Sequence, residues 1–146
     1  HGVSMGAATV LMASGEDLPE NVKAVIADCG YTSEWDEFQR EADTLHIPWF
    51  PVLNATSVLS KVRDGYDFKQ ASALAQVKKS RIPTLFIHGS SDELVPYSML
   101  GELYAAAACE KEELTVEGAG HALSSSVAPT LYWRTVEDFI AKYLDR

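Results

Sequence analysis

The sequence lacks any apolar run of the roughly 20 residues that a membrane-spanning helix needs; its unbroken apolar stretches, such as residues 24–27 and 84–87, are only strand-length. It is also poor in positive charge, with 12 Lys and Arg against 21 Asp and Glu and a net charge of −9. A binder of nucleic-acid backbone needs clustered Lys and Arg. The one basic cluster, Lys78, Lys79 and Arg81, stands just before a strand and reads as a solvated loop, so nucleic acid is excluded as a partner. Cysteine is scarce. Cys29 and Cys109 form no CxxC and no Cys/His spacing of a metal site. No metal and no cofactor is expected, and the two thiols read as buried and reduced. That favours the cytoplasm, although the compartment stays unknown because a signal or anchor upstream is compatible with this sequence. The first residue is His1, and no targeting segment is visible, so the chain reads as a piece of something longer.

What is present is ordinary for a globular domain with a real core: 146 residues, 47% hydrophobic and 23% charged. Residues 4–14 are small and apolar, stop at Gly15, and predict a buried helix. Residues 22–28, 84–87 and 113–116 predict buried strands. Helices are expected over 71–77, 97–108 and 131–144. In the last, Val136, Phe139, Ile140 and Tyr143 recur at helical spacing on one face. Residues 31–70 are irregular, with three breakers, Pro48, Pro51 and Gly65, and fit short helices joined by turns. Strands that alternate with helices imply a parallel sheet covered on both faces, hence an α/β fold.

Gly2-Val3-Ser4-Met5-Gly6 fits G-x-S-x-G, the nucleophile elbow. The serine must occupy a strained turn between strand and helix, and the flanking glycines let the two backbones pass closely. A serine becomes nucleophilic at neutral pH only with a base, and the base needs an orienting carboxylate. In open parallel sheets such groups lie just beyond the strands. Asp92 follows the strand at 84–87, within His88-Gly89-Ser90-Ser91-Asp92-Glu93-Leu94-Val95-Pro96. His121 follows the strand at 113–116, within Glu117-Gly118-Ala119-Gly120-His121-Ala122. The order Ser, Asp, His is that of the elbow's own fold. Asp28, at the end of the earlier strand, is the rival acid. Taken singly, Asp92 suits a turn or helix cap and His121 an ordinary loop. His1 and His88 read as packing or turn hydrogen bonding, and His46 as surface or pocket wall.

These three segments together resemble the elbow, acid loop and histidine loop of α/β-hydrolases, in particular the bacterial serine aminopeptidase-like and dienelactone hydrolase-like enzymes. The resemblance covers the whole chain. It implies the C-terminal part of one α/β-hydrolase domain over 1–146, supplying the last three parallel strands of a larger sheet, with flanking helices and a small helical cap at about 31–70. By that comparison the strand entering the elbow is missing. The strand at 22–28 then has an open edge, and Val10, Leu11 and Met12 on the first helix lose their cover. Ser4 would be the nucleophile, Asp92 the acid and His121 the base, and the Met5 amide would donate to the oxyanion. Tyr31, Trp35, Trp49 and Phe50 are the candidates for an apolar wall of the substrate pocket.

The implied function is a serine hydrolase cleaving an ester or amide of a small-molecule acyl substrate. Two alternatives stand beside it: an inactive fragment or binding module lacking half of the site, and an acyltransferase using the same residues. Self-association, or pairing with a missing N-terminal half, is the protein partnership expected.

Overall fold

The computed structural model describes residues 1–144. Its centre is a four-stranded parallel sheet in the order β1-β2-β3-β4, with β1 at Gly2–Val3, β2 at Val25–Asp28, β3 at Thr84–Gly89 and β4 at Lys111–Val116. Every residue of β2 and β3 is buried, as expected for parallel strands covered on both faces. The sheet therefore has one strand more than the sequence suggested. Gly2 and Val3 are too few to leave a periodic signal, yet they pair with Ala27 and Asp28. The end of the strand entering the elbow is thus present. It stops short of Val25 and Ile26, which pair with β3 alone.

One face of the sheet is covered by α1 (Met5–Ser14), α4 (Ala73–Val77) and α5 (Ser98–Ala106). Leu11, Val77, Phe86, Leu100 and Leu103 interlock there. Leu11 is fully buried, and Val10 and Met12 pack against buried groups. The expected stripping of this helix is therefore corrected: α4 lies across it, and helix-on-helix packing supplies the cover. The other face is covered by α7 (Pro129–Leu144), whose Tyr132, Val136, Phe139 and Tyr143 meet Leu85, Ile87 and Val116. A short helix, α6 (Ser124–Val127), precedes it. Between β2 and α4 the insertion forms α2 (Glu34–Thr44) and α3 (Trp49–Asp64). Ser33 caps α2, its hydroxyl accepting from the Asp36 amide at 3.0 Å. Cys29 is buried, but Cys109 is only half-buried, with its thiol 3.6 Å from the Thr84 hydroxyl. Among the described residues no helix is long and apolar enough to cross a membrane.

Candidate active site

Three loops leave the carboxyl ends of β1, β3 and β4 on the same side of the sheet, because the strands are parallel. Each carries one of the selected side chains. Ser4 stands between β1 and α1 with φ 54° and ψ −118°, a conformation costly to a residue with a Cβ. The turn is closed by its amide donating to the Asp28 carbonyl at 2.8 Å and its carbonyl accepting from the Ala8 amide at 3.0 Å. Gly2 is required: a Cβ there would collide with the Gly6 carbonyl. At Gly6 itself a Cβ would meet open space, so the close approach rests on the first glycine and on the backbone of the second.

Asp92 lies seven-per-cent exposed in the turn after β3. Its Oδ1 accepts from the amides of Leu94 at 3.0 Å and Val95 at 2.9 Å. Its Oδ2 accepts from His121 Nδ1 at 2.9 Å. A carboxylate facing Nδ1 requires the imidazole proton there, which leaves Nε2 as an acceptor. Nε2 stands 2.8 Å from Ser4 Oγ. The structure thus joins Ser4, His121 and Asp92 in one unbroken hydrogen-bond chain. Gly89 permits the approach of the two loops, since a Cβ there would strike the Ala119 carbonyl.

Several neighbours carried no sequence signal. Cys29 and Ala122 also have positive φ, 49° and 57°, so strained backbone clusters around Ser4 and His121. Burial pushes the pKa of the Cys29 thiol up to about 12. Its sulfur and the donor atoms of Asp92 and His121 lie within 4.8 Å of one another. His121 and Asp92, however, already spend those atoms on each other, and the thiol is neutral. Asp28 sits beneath the elbow and accepts from Ser124 Oγ at 3.1 Å, with Tyr132 within electrostatic reach. Burial raises its pKa. Tyr132 also meets His1 Nε2 at 2.9 Å. Asp28 makes no bond to His121 among the contacts of the described residues, so the geometry favours Asp92 over it. On α2, burial likewise raises the pKa of Glu37, which is paired with Arg40 at 3.2 Å and lies within electrostatic reach of His121.

The four aromatic candidates differ in their surroundings. Tyr31 is core, packed with Ala8, Val95 and Met99. Trp35 lies under the Lys69 ammonium, 4.4 Å from its ring centre. Trp49 and Phe50 meet edge to face at 6.2 Å, with Phe50 67% exposed. Apolar composition marked these residues, but it does not distinguish a pocket wall from core or from a helix surface.

Residues 1–146 match the sequence model of the prolyl oligopeptidase family. The chain belongs to that family. It is also similar to an uncharacterized protein of Bacillus subtilis, YqkD, at 32% identity over 143 residues, covering 96% of this chain and 46% of that one. Among solved structures it resembles the esterase domain of a Rhodothermus marinus protein, with a TM-score of 0.67 and 22% identity over 98% of this chain and 59% of that one. The Pyrococcus furiosus esterase Pf2001 aligns with a TM-score of 0.71 and 20% identity over 98% and 52% of the two chains. The acylaminoacyl peptidase of Pyrococcus horikoshii aligns at 0.70 and 16% over 99% and 24%. At such identities the structural likeness carries the fold, and that fold is the α/β-hydrolase expected. This prolyl oligopeptidase-family chain spans about half the length of YqkD.

Proposed function

We propose that this chain carries the catalytic triad of a serine hydrolase that cleaves an ester or amide bond through an acyl-enzyme. The observation that carries the reading is the chain of contacts from Asp92 through His121 to Ser4, at 2.9 and 2.8 Å. His121 Nε2 takes the proton of Ser4 Oγ as the oxygen attacks the acyl carbon. The same nitrogen returns the proton to the leaving group, and water repeats the sequence to release the acid. Asp92 holds the imidazole in the tautomer that leaves Nε2 free and stabilises the imidazolium. Met5 begins α1, and its amide is one of the donors a helix start leaves without an internal partner. It is suited to hold the oxyanion, a contribution of roughly 3 kcal/mol per donor. The test is fluorophosphonate labelling of the full gene product. Label at Ser4, lost in Ser4→Ala together with hydrolysis of a p-nitrophenyl ester, is the expected result; label that survives the substitution overturns the reading. Product analysis with an added alcohol or amine acceptor separates hydrolysis from acyl transfer.

The site reads as the C-terminal portion of one α/β-hydrolase domain. The unpaired side of Val25 and Ile26 supports association there, with a preceding segment or with a second copy, because open strand edges recruit strands. A cavity of about 280 Å³ lined by His1, Val22, Ala24, Ile26, Ile140 and Leu144 runs along the same edge. Light scattering on the 146-residue chain checks this: self-association is expected, and a monodisperse monomer of 16.0 kDa overturns it.

A further inference from the structure

His88 is the penultimate residue of β3 and is 1% exposed. Its Nε2 lies 3.0 Å from the Val95 carbonyl and 3.2 Å from Asp92 Oδ2. The Nε2 proton goes to the Val95 carbonyl, an acceptor only, which fixes the tautomer; Asp92 Oδ2 stands beside the ring as a close contact. The ring cannot swing away, because the Tyr97 ring stands edge-on to it at 6.0 Å and 89°. Asp92 Oδ2 thus faces two imidazoles, His121 at 2.9 Å and His88 at 3.2 Å. Val95 is held twice, its amide on Asp92 Oδ1 and its carbonyl on His88. The acid loop is therefore closed on itself through β3, the most deeply buried strand of the sheet.

Resting on the triad reading above, we propose that His88 is a positioning residue for Asp92: by holding the Val95 carbonyl it anchors the loop whose amides carry Oδ1, and its ring stands against Oδ2, so that Oδ2 points at His121 Nδ1. The loop amides of Leu94 and Val95 hold Oδ1, so the carboxylate's aim follows the placement of that loop. Through the Val95 carbonyl His88 ties the loop to β3, and its ring closes the space beside Oδ2. Orientation errors of this kind act on rate rather than on substrate affinity, since Asp92 does not touch the substrate.

The discriminating set is His88→Gln, His88→Asn and His88→Leu in the full gene product. The Gln amide nitrogen reaches the position of Nε2, the Asn amide stops short of it, and Leu offers no donor. Expected are a loss of roughly 10- to 100-fold in kcat for Asn and Leu, the range seen when groups that orient a functional ligand are removed, and KM within about twofold of the wild type. Gln should recover most of the rate. The far-downfield proton resonance of the His121–Asp92 bond should shift or broaden in Asn and Leu and return in Gln. If Leu does not fold, the Gln and Asn pair alone decides, since both are polar and differ only in reach. Equal rates in Gln and Asn, or an unmoved resonance in variants that lose rate, would reduce His88 to packing and overturn the proposal. Fluorophosphonate labelling of the unmutated protein separates the two readings. Wild type that does not label at Ser4 removes the triad and this proposal with it; wild type that labels, with His88→Asn as fast as wild type, removes this proposal alone.

Discussion

The loops at the strand ends and the helical insertion are built on opposite terms. In the loops, backbone strain at Ser4, Cys29 and Ala122 is held by buried strands, and the polar atoms of Asp92 and His121 are bonded. In the insertion, α2 buries no residue fully and α3 buries only Leu53 and Ser57. Phe50, Val58, Leu59 and Val62 face solvent instead. Strained conformations persist only where the surroundings over-determine them, so the reacting geometry belongs to the sheet.

If that division holds, changes at the strand ends should abolish rate while leaving the fold. Ser4→Ala should show the largest effect, a loss in kcat on the order of 10⁶-fold, with the melting temperature within a few degrees of wild type. His121→Ala and Asp92→Asn should each cost about 10⁴-fold, the latter by favouring the wrong imidazole tautomer. A stopped assay on a fast ester reads both. Near-full activity in Asp92→Asn would transfer the acid role to Asp28 and break the comparison at its centre.

Stability should divide along the same line. Phe86 lies in β3 at 1% exposure and Val62 on α3 at 80%. Phe86→Ala should cost about 3–5 kcal/mol through lost burial and the cavity it leaves. Val62→Ser should change stability by less than about 0.5 kcal/mol. Urea unfolding followed by circular dichroism checks the pair, and a large loss at Val62 would show that the insertion packs against more than this chain contains.

The same contrast explains what could be read from the sequence. Continuous apolar runs gave away β2 and β3, and the helical period gave away α7, because burial on a regular element leaves a periodic trace. The elbow and the loops bearing Asp92 and His121 were legible because their chemistry constrains residue type at short spacing. Residues 2–3 were missed as a strand because two residues carry no period. His88 reads as packing or turn hydrogen bonding because the apolar run ends at Ile87; β3 in fact extends through it, and nothing in the one-dimensional pattern records that its ring reaches the acid loop. The aromatic residues are hard to place for the converse reason: Tyr31 and Phe50 share a composition, yet one is buried and the other exposed.

The smallest effect on rate is expected at the other buried carboxylate. Asp28 accepts from Ser124 rather than from His121, so Asp28→Asn should keep kcat within a few-fold of wild type. Its signature should be in stability. Burial raises the folded-state pKa of Asp28 above its ordinary value of 3.8. As pH rises through that ordinary value, the unfolded chain releases the proton first and the folded state retains it, which favours unfolding until the folded pKa is passed. The carboxylate is thus least costly in acid and most costly at neutral pH. An Asn side chain still accepts through its carbonyl oxygen and never ionises, so this loss disappears. The difference in melting temperature, Asp28→Asn minus wild type, should therefore be more positive at pH 7 than at pH 4. A difference independent of pH would mean that Asp28 is ionised at no special cost, with Ser124, Tyr132 and the nearby His88 offsetting its burial.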